Sequence, residues 1–224
     1  MSVEEGGPDR YTTRLRERTG PDWTAATEHR FTEELAAGEI ADDAMARYLV
    51  QDFRFVETLA SVVGYAAAQA HDTAAKAELG EFLTVVATDE TDYFERSFDA
   101  LDVPARERTD PEPWPVTQAF EDLLLSAARD GGYAETLSVL VPVEWVYLTW
   151  ADRAADGERP DRFYLDEWIE IHAVEAFADF VEWLRAELDR VGPELPDRRQ
   201  RRVARNFERA VALEVEFFDA VYEG

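Results

Sequence analysis

The 224 residues contain no cysteine. Without thiols there is no disulfide, no thiolate metal site and no cysteine nucleophile. Lysine is almost as scarce: Lys76 stands alone, and arginine supplies the other basic groups. A phosphate-binding loop needs its lysine beside glycines, and no such loop or dinucleotide glycine fingerprint is present. The three histidines, His29, His71 and His172, lie in separate places, so no paired-histidine zinc motif exists, and no metal or cofactor is expected. No run approaches the ~18 consecutive apolar residues of a membrane span, and Met1-Ser-Val-Glu-Glu lacks the charged-then-apolar pattern of a signal peptide. A soluble, cytoplasmic protein is the expectation.

What is abundant is acid. The formal net charge is -26, which repels nucleic acid and anionic membrane and resists aggregation where salt screens self-repulsion. Adaptation of a halophile's cytoplasmic protein to very high salt is the plain reading of this acidic surface. The arginine run Arg198-Arg199-Gln200-Arg201-Arg202 is expected to pair with neighbouring or partner-subunit acids rather than with nucleic acid. Apolar residues make up 46% of the chain, enough for a sizeable core in one domain. A polar arm over residues 1–20 is expected to precede that domain, residues 21–224.

Helical periodicity runs almost from end to end. Pro21 opens a predicted helix over 22–37, stopped by Gly38. A second helix spans about 42–70, with Tyr48, Asp52, Phe55 and Leu59 on one stripe. A third runs over 73–100. Residues 106–115, rich in proline and carrying Trp114 as an exposed aromatic, read as a long surface loop. Further helices are predicted over 116–129, 133–156, 163–190 and 197–221. About seven helices and no alternating strand pattern make the fold class all-α.

Several polar residues stand where hydrophobes are expected. Glu144 lies inside the apolar run from Thr136 to Trp150, and burying an ionised carboxylate costs several kcal/mol unless partners satisfy it. Tyr147 shares its face, three residues on. Asp52 interrupts the stripe between Tyr48 and Phe55. His172 precedes the aromatic face of Phe177 and Phe180, and Glu214 sits with Val211 and Phe218. Taken singly, each is better explained as a structural residue at a helix edge. Drawn from four helices and interleaved with aromatics, they suggest a pocket for a flat, nitrogen-rich ligand, because carboxylates accept from ring N–H and amino groups while aromatics stack.

The same positions resemble a known family. His29-x-Phe31, Gly38-x-Ile40 and Tyr48-Leu-Val-Gln51-Asp52, then Leu140-x-Pro142-x-x-Trp145-x-Tyr147, Trp168-Ile169 through Phe177, and Glu214-x-x-Phe217 to Tyr222 follow one another as in TenA/thiaminase II proteins. The resemblance covers roughly residues 22–222. It implies a heme-oxygenase-like helical bundle, usually a homotetramer, that hydrolyses thiamin or its aminopyrimidine breakdown products. By that resemblance Asp52 binds the aminopyrimidine edge, Tyr147 stacks or hydrogen-bonds near it, and Glu214 is the acid/base. The family's cysteine nucleophile falls at Val143. Glu144 stands where a cysteine-less branch carries a glutamate, while two further tyrosines of the cysteine-bearing branch fall near His172 and Phe55.

The resulting expectation is a cysteine-independent hydrolase without a cofactor, acting on an aminomethyl- or formylaminomethyl-pyrimidine. Glu144 and Glu214 are the catalytic pair, and Asp52, Tyr147, His172, Tyr48 and Phe55 bind the substrate. The expected partners are this small molecule and further copies of the chain, as a tetramer or dimer, with neither nucleic acid nor membrane. A pyrimidine-binding protein without chemistry, or a helical oxidase on the same bundle, are the rival readings.

Overall fold

A computed structural model describes residues 10–223, and among them there are twelve α-helices, one π-helical turn and no strand. Local capping chemistry explains why helices outnumber the seven or so expected. The predicted helix over 22–37 is two, α2 (Pro21–Thr27) and α3 (Arg30–Ala36), because His29 takes an extended backbone and its ring accepts from the Phe31 N–H at 3.0 Å. An N-cap inside an apolar pattern splits the helix without disturbing the pattern. Upstream, α1 (Tyr11–Arg18) buries Tyr11 and Leu15; residues 1–9 of the expected arm lie outside the described residues.

Gly38, at φ +67°, turns the chain into α4 (Asp42–Gln69), whose first turn carries Asp42 and Asp43 against the positive end of the helix dipole. The predicted helix over 73–100 is interrupted: α5 (Thr73–Val85) passes through a π-helical turn at Val86–Glu90 into α6 (Thr91–Ala100). The expected surface loop begins as a short helix, α7 (Ala105–Thr109), and Trp114 is half-buried against Phe217 rather than exposed. α8 (Pro115–Asp130) follows, then α9 (Tyr133–Ala155). The predicted helix over 163–190 is also two, α10 (Phe163–Ala173) and α11 (Glu175–Val191), since Val174 adopts extended backbone and caps the second. α12 (Asp197–Ala220) closes the chain.

α9 is the axis of the bundle, packed against α12, α11, α10, α8, α4 and α2. It is buried on every side from Tyr133 to Leu148, which is why its sequence is apolar all round instead of striped. Each fully buried residue such as Leu137 or Val146 contributes roughly 1.5–3 kcal/mol. Trp145 is held from outside the site, with the Arg185 guanidinium 3.9 Å from its ring centroid and Trp23 at 4.8 Å. At the other end, Glu135 is buried, receives two hydrogen bonds from Arg199 and accepts from the Gly132 N–H, so one arginine of the basic run is an internal partner of α9. None of the described helices is long and apolar enough to cross a membrane.

Candidate active site

α4, α9, α10 and α12 deliver the unusual polar residues to one place. Asp52, Glu144, Glu214, Tyr48, Tyr147, His172 and Phe55 are all buried. The Tyr48 and Tyr147 hydroxyls lie 2.7 Å apart, joining α4 to α9, and the Tyr147 hydroxyl reaches Asp52 Oδ1 at 3.5 Å, a long hydrogen bond. Burial, and then the Asp52 charge, push both phenols well above their ordinary value, so they remain protonated donors.

Glu214 completes the cluster from α12. Burial raises its carboxyl well above the usual range, and the charges of Asp52 and Glu144 raise it further. Carboxyl groups from α4 and α9 thus act on the one that α12 contributes, and both favour the protonated form of Glu214. Its Oε1 has no hydrogen-bond partner among the described residues. A buried polar atom in that state costs about 1–3 kcal/mol, a cost that a polar ligand would offset.

His172 comes from the last turn of α10, where the break at Val174 leaves its ring facing inward. Nδ1 lies 2.9 Å from the Trp168 carbonyl, an acceptor, so Nδ1 carries the hydrogen and Nε2 is left as the acceptor of a neutral ring. Burial keeps it neutral, lowering its pKa to about 4. The ring meets Trp168 at 4.4 Å, Tyr147 at 4.9 Å and Phe177 at 5.3 Å. Phe55 belongs to a second group of rings, with Phe120 at 4.9 Å and Phe217 at 6.5 Å.

The arrangement offers a carboxyl of raised proton affinity, two further carboxyl groups, phenol donors and an imidazole acceptor among aromatic rings. It suits a planar heterocycle bearing amino groups and can move a proton to a leaving group. Among the described residues no group of three histidine, aspartate or glutamate side chains has the geometry to hold a metal ion.

Phe217 and Trp168 also meet these residues, at Tyr48 and His172, and they stand three residues after Glu214 and four before His172. That helical spacing places each on the face of its neighbour and is a usable signal. Gln51 carries no such signal. It is as buried as Asp52 beside it, yet its partners lie 61 to 66 residues away, and no local pattern announces them.

Comparison with known proteins identifies the fold and the family. An aminopyrimidine aminohydrolase of Halalkalibacterium halodurans is 22% identical over 214 residues, covering 95% of each chain. A TenA homologue from P. horikoshii OT3 superposes with a TM-score of 0.83 at 23% identity, over 96% of this chain and 99% of that one. A domain of unknown function from Shewanella denitrificans with a heme oxygenase-like fold superposes with a TM-score of 0.68 at 14% identity, over 95% of this chain and 92% of the other. The fold is therefore the all-helical heme oxygenase-like bundle in its TenA form. The profile of the TENA/THI-4/PQQC family matches residues 16–224, and the chain belongs to that family.

Proposed function

We propose that the protein is an aminopyrimidine hydrolase of thiamin salvage that works without a cysteine. The observation that carries this reading is the burial of Glu214 with Asp52 and Glu144 in one cluster, where desolvation and the two neighbouring charges raise the Glu214 pKa. Two carboxyl groups with divergent environments can divide base and acid roles at neutral pH. The naming of the Halalkalibacterium halodurans relative as an aminopyrimidine aminohydrolase supports the substrate class.

The step we propose is hydrolysis of an aminomethyl-pyrimidine. Glu144 takes a proton from water as its oxygen attacks the methylene carbon. The C–N bond breaks with its electron pair going to nitrogen, and Glu214 gives that nitrogen a proton. Hydroxymethyl-pyrimidine and ammonia leave, and proton exchange between the two carboxyls resets the site. Asp52 accepts from the ring's amino edge, and Tyr48 and Tyr147 fix the ring through their paired hydroxyls. His172 Nε2 accepts from the substrate's second polar edge, while Phe55 supplies a face for stacking. On a formylaminomethyl-pyrimidine the same groups would hydrolyse the formamide and release formate. With no thiol in the sequence, the attacking group is not a thiolate.

The test is incubation of the purified protein, in high salt, with both pyrimidines, following products by mass. Release of ammonia or formate is expected, and Glu144→Gln should lower turnover at least about 100-fold with an unchanged melting profile. Full activity in that variant would remove Glu144 from the mechanism. Tight binding with no product would leave a binding protein on this scaffold. Assembly into a homotetramer or dimer in a salt-rich cytoplasm belongs to the same reading, and sedimentation at low and high salt tests it.

A further inference from the structure

Between α7 and α8 the chain crosses α4 as a proline-rich strap, Pro111-Glu112-Pro113-Trp114-Pro115, and a single buried side chain ties it down. The Gln51 amide donates to the Glu112 carbonyl at 3.0 Å, while its oxygen accepts from the Trp114 N–H at 2.9 Å and the Thr117 hydroxyl at 2.7 Å. Prolines at 111, 113 and 115 have no amide hydrogen to give, so few backbone bonds are open to this stretch. Gln51 acts as a side-chain bridge to the strap and holds the first turn of α8.

What the bridge positions is an indole. Trp114 packs on Phe217 at 5.9 Å, and Phe217 in turn meets Tyr48 at 5.9 Å and Phe55 at 6.5 Å. Trp114 also lines an open cleft of about 420 Å³, together with Gln51, Val50 and Arg47. Trp114 thus belongs both to this cleft and, through Phe217, to the aromatic cluster around Tyr48 and Phe55. Phe217 is three residues from Glu214 on α12, so the ring and the acid share one helix face. The Arg54–Glu121 ion pair at 3.0 Å and the Phe55–Phe120 contact clamp α4 to α8 further along, and Gln51 extends that clamp to the strap.

We infer that Trp114 is a specificity-determining residue of the site, backing Phe217 so that the slot fits one size of pyrimidine, and that Gln51 is the positioning residue that keeps it there. The inference rests on the aminopyrimidine reading above. Removing the indole lets Phe217 relax outward into the cleft, which loosens ring binding without touching the carboxyl groups.

The test compares wild type, Trp114→Ala, Trp114→Phe, Gln51→Leu and the Gln51→Leu/Trp114→Ala double variant. Substrates are the aminomethyl-pyrimidine and a homologue with one extra methylene on the ring. For Trp114→Ala, KM should rise about tenfold with kcat within about twofold, and the preference for the smaller ring should fall about fivefold. Trp114→Phe should recover most of both. Gln51→Leu should reproduce the Trp114→Ala pattern, and the double variant should be no worse than Trp114→Ala alone, since one residue acts through the other. Wild-type KM and selectivity in Trp114→Ala overturn the inference, as do losses that multiply in the double variant. If Gln51→Leu melts before it can be assayed, the two Trp114 variants decide. A wild-type protein that neither binds nor converts any aminopyrimidine overturns the parent reading and this one with it, whereas an unaffected Trp114→Ala in an active enzyme overturns this one alone.

Discussion

Glu214→Gln should make the protein more stable and less active at the same time. In the folded state burial and the Asp52 and Glu144 charges hold the Glu214 proton well above the usual carboxyl range. In the unfolded chain the same group ionises near its ordinary value of about 4.3. Between those two values the folded state carries a proton that the unfolded state has lost, so stability falls as pH rises, by about 1.4 kcal/mol per pH unit. Glutamine has nearly the same shape, stays neutral, and removes that one-proton slope while leaving Asp52 and Glu144 in the field they already experience. Above pH 5 the gap between variant and wild type should therefore widen by about 1.4 kcal/mol with each pH unit, until the folded carboxyl itself ionises. For a chain of this size that corresponds to roughly 3–5 °C in Tm per unit. Urea unfolding of both proteins at half-unit steps from pH 5 to 7.5, in constant salt, isolates the difference, because all other carboxylates contribute equally to each. Turnover of the aminomethyl-pyrimidine should drop by 100-fold or more over the same range. Parallel stability curves would show that Glu214 ionises normally, and the proton-donor role would fall with them.

His172 should give the opposite slope: its pKa of about 4 lies below the unfolded value, so the unfolded chain takes up the proton first as pH falls. Wild type should lose about 3 kcal/mol between pH 6.5 and 4 that His172→Gln does not lose, and identical acid unfolding profiles would contradict the buried neutral ring. Arg199→Leu should destabilise by about 2–3 kcal/mol, because it strands the buried Glu135 carboxylate at the start of α9, and thermal melting against wild type reads it directly.

The all-helical class, the central helix and the acids of the site were legible from sequence alone because each rests on local period. Asp52, Glu144 and Glu214 stood out since a carboxylate on an apolar stripe is expensive anywhere in a folded interior. The helix breaks at His29 and Val174 were not legible, for the apolar spacing runs on unchanged across both, and only a ring accepting from an amide or a turn of extended backbone marks the interruption. The expectation of an exposed Trp114 failed for a related reason: a proline-rich segment looks like surface until its nonlocal partners are known.

By itself, then, the sequence determined that the chain is helical, which faces are buried, and that no thiol is available. Tertiary structure alone decided that three helices bring their acids within range of one another, that the Glu214 pKa is raised there, and which imidazole nitrogen is left to accept. It also decided that a glutamine next to Asp52 reaches across to hold an indole behind Phe217. Periodicity is a property of neighbours three and four residues apart, whereas proton affinity and hydrogen-bond partnership depend on distance through space, and helix packing sets that distance only once the chain has folded.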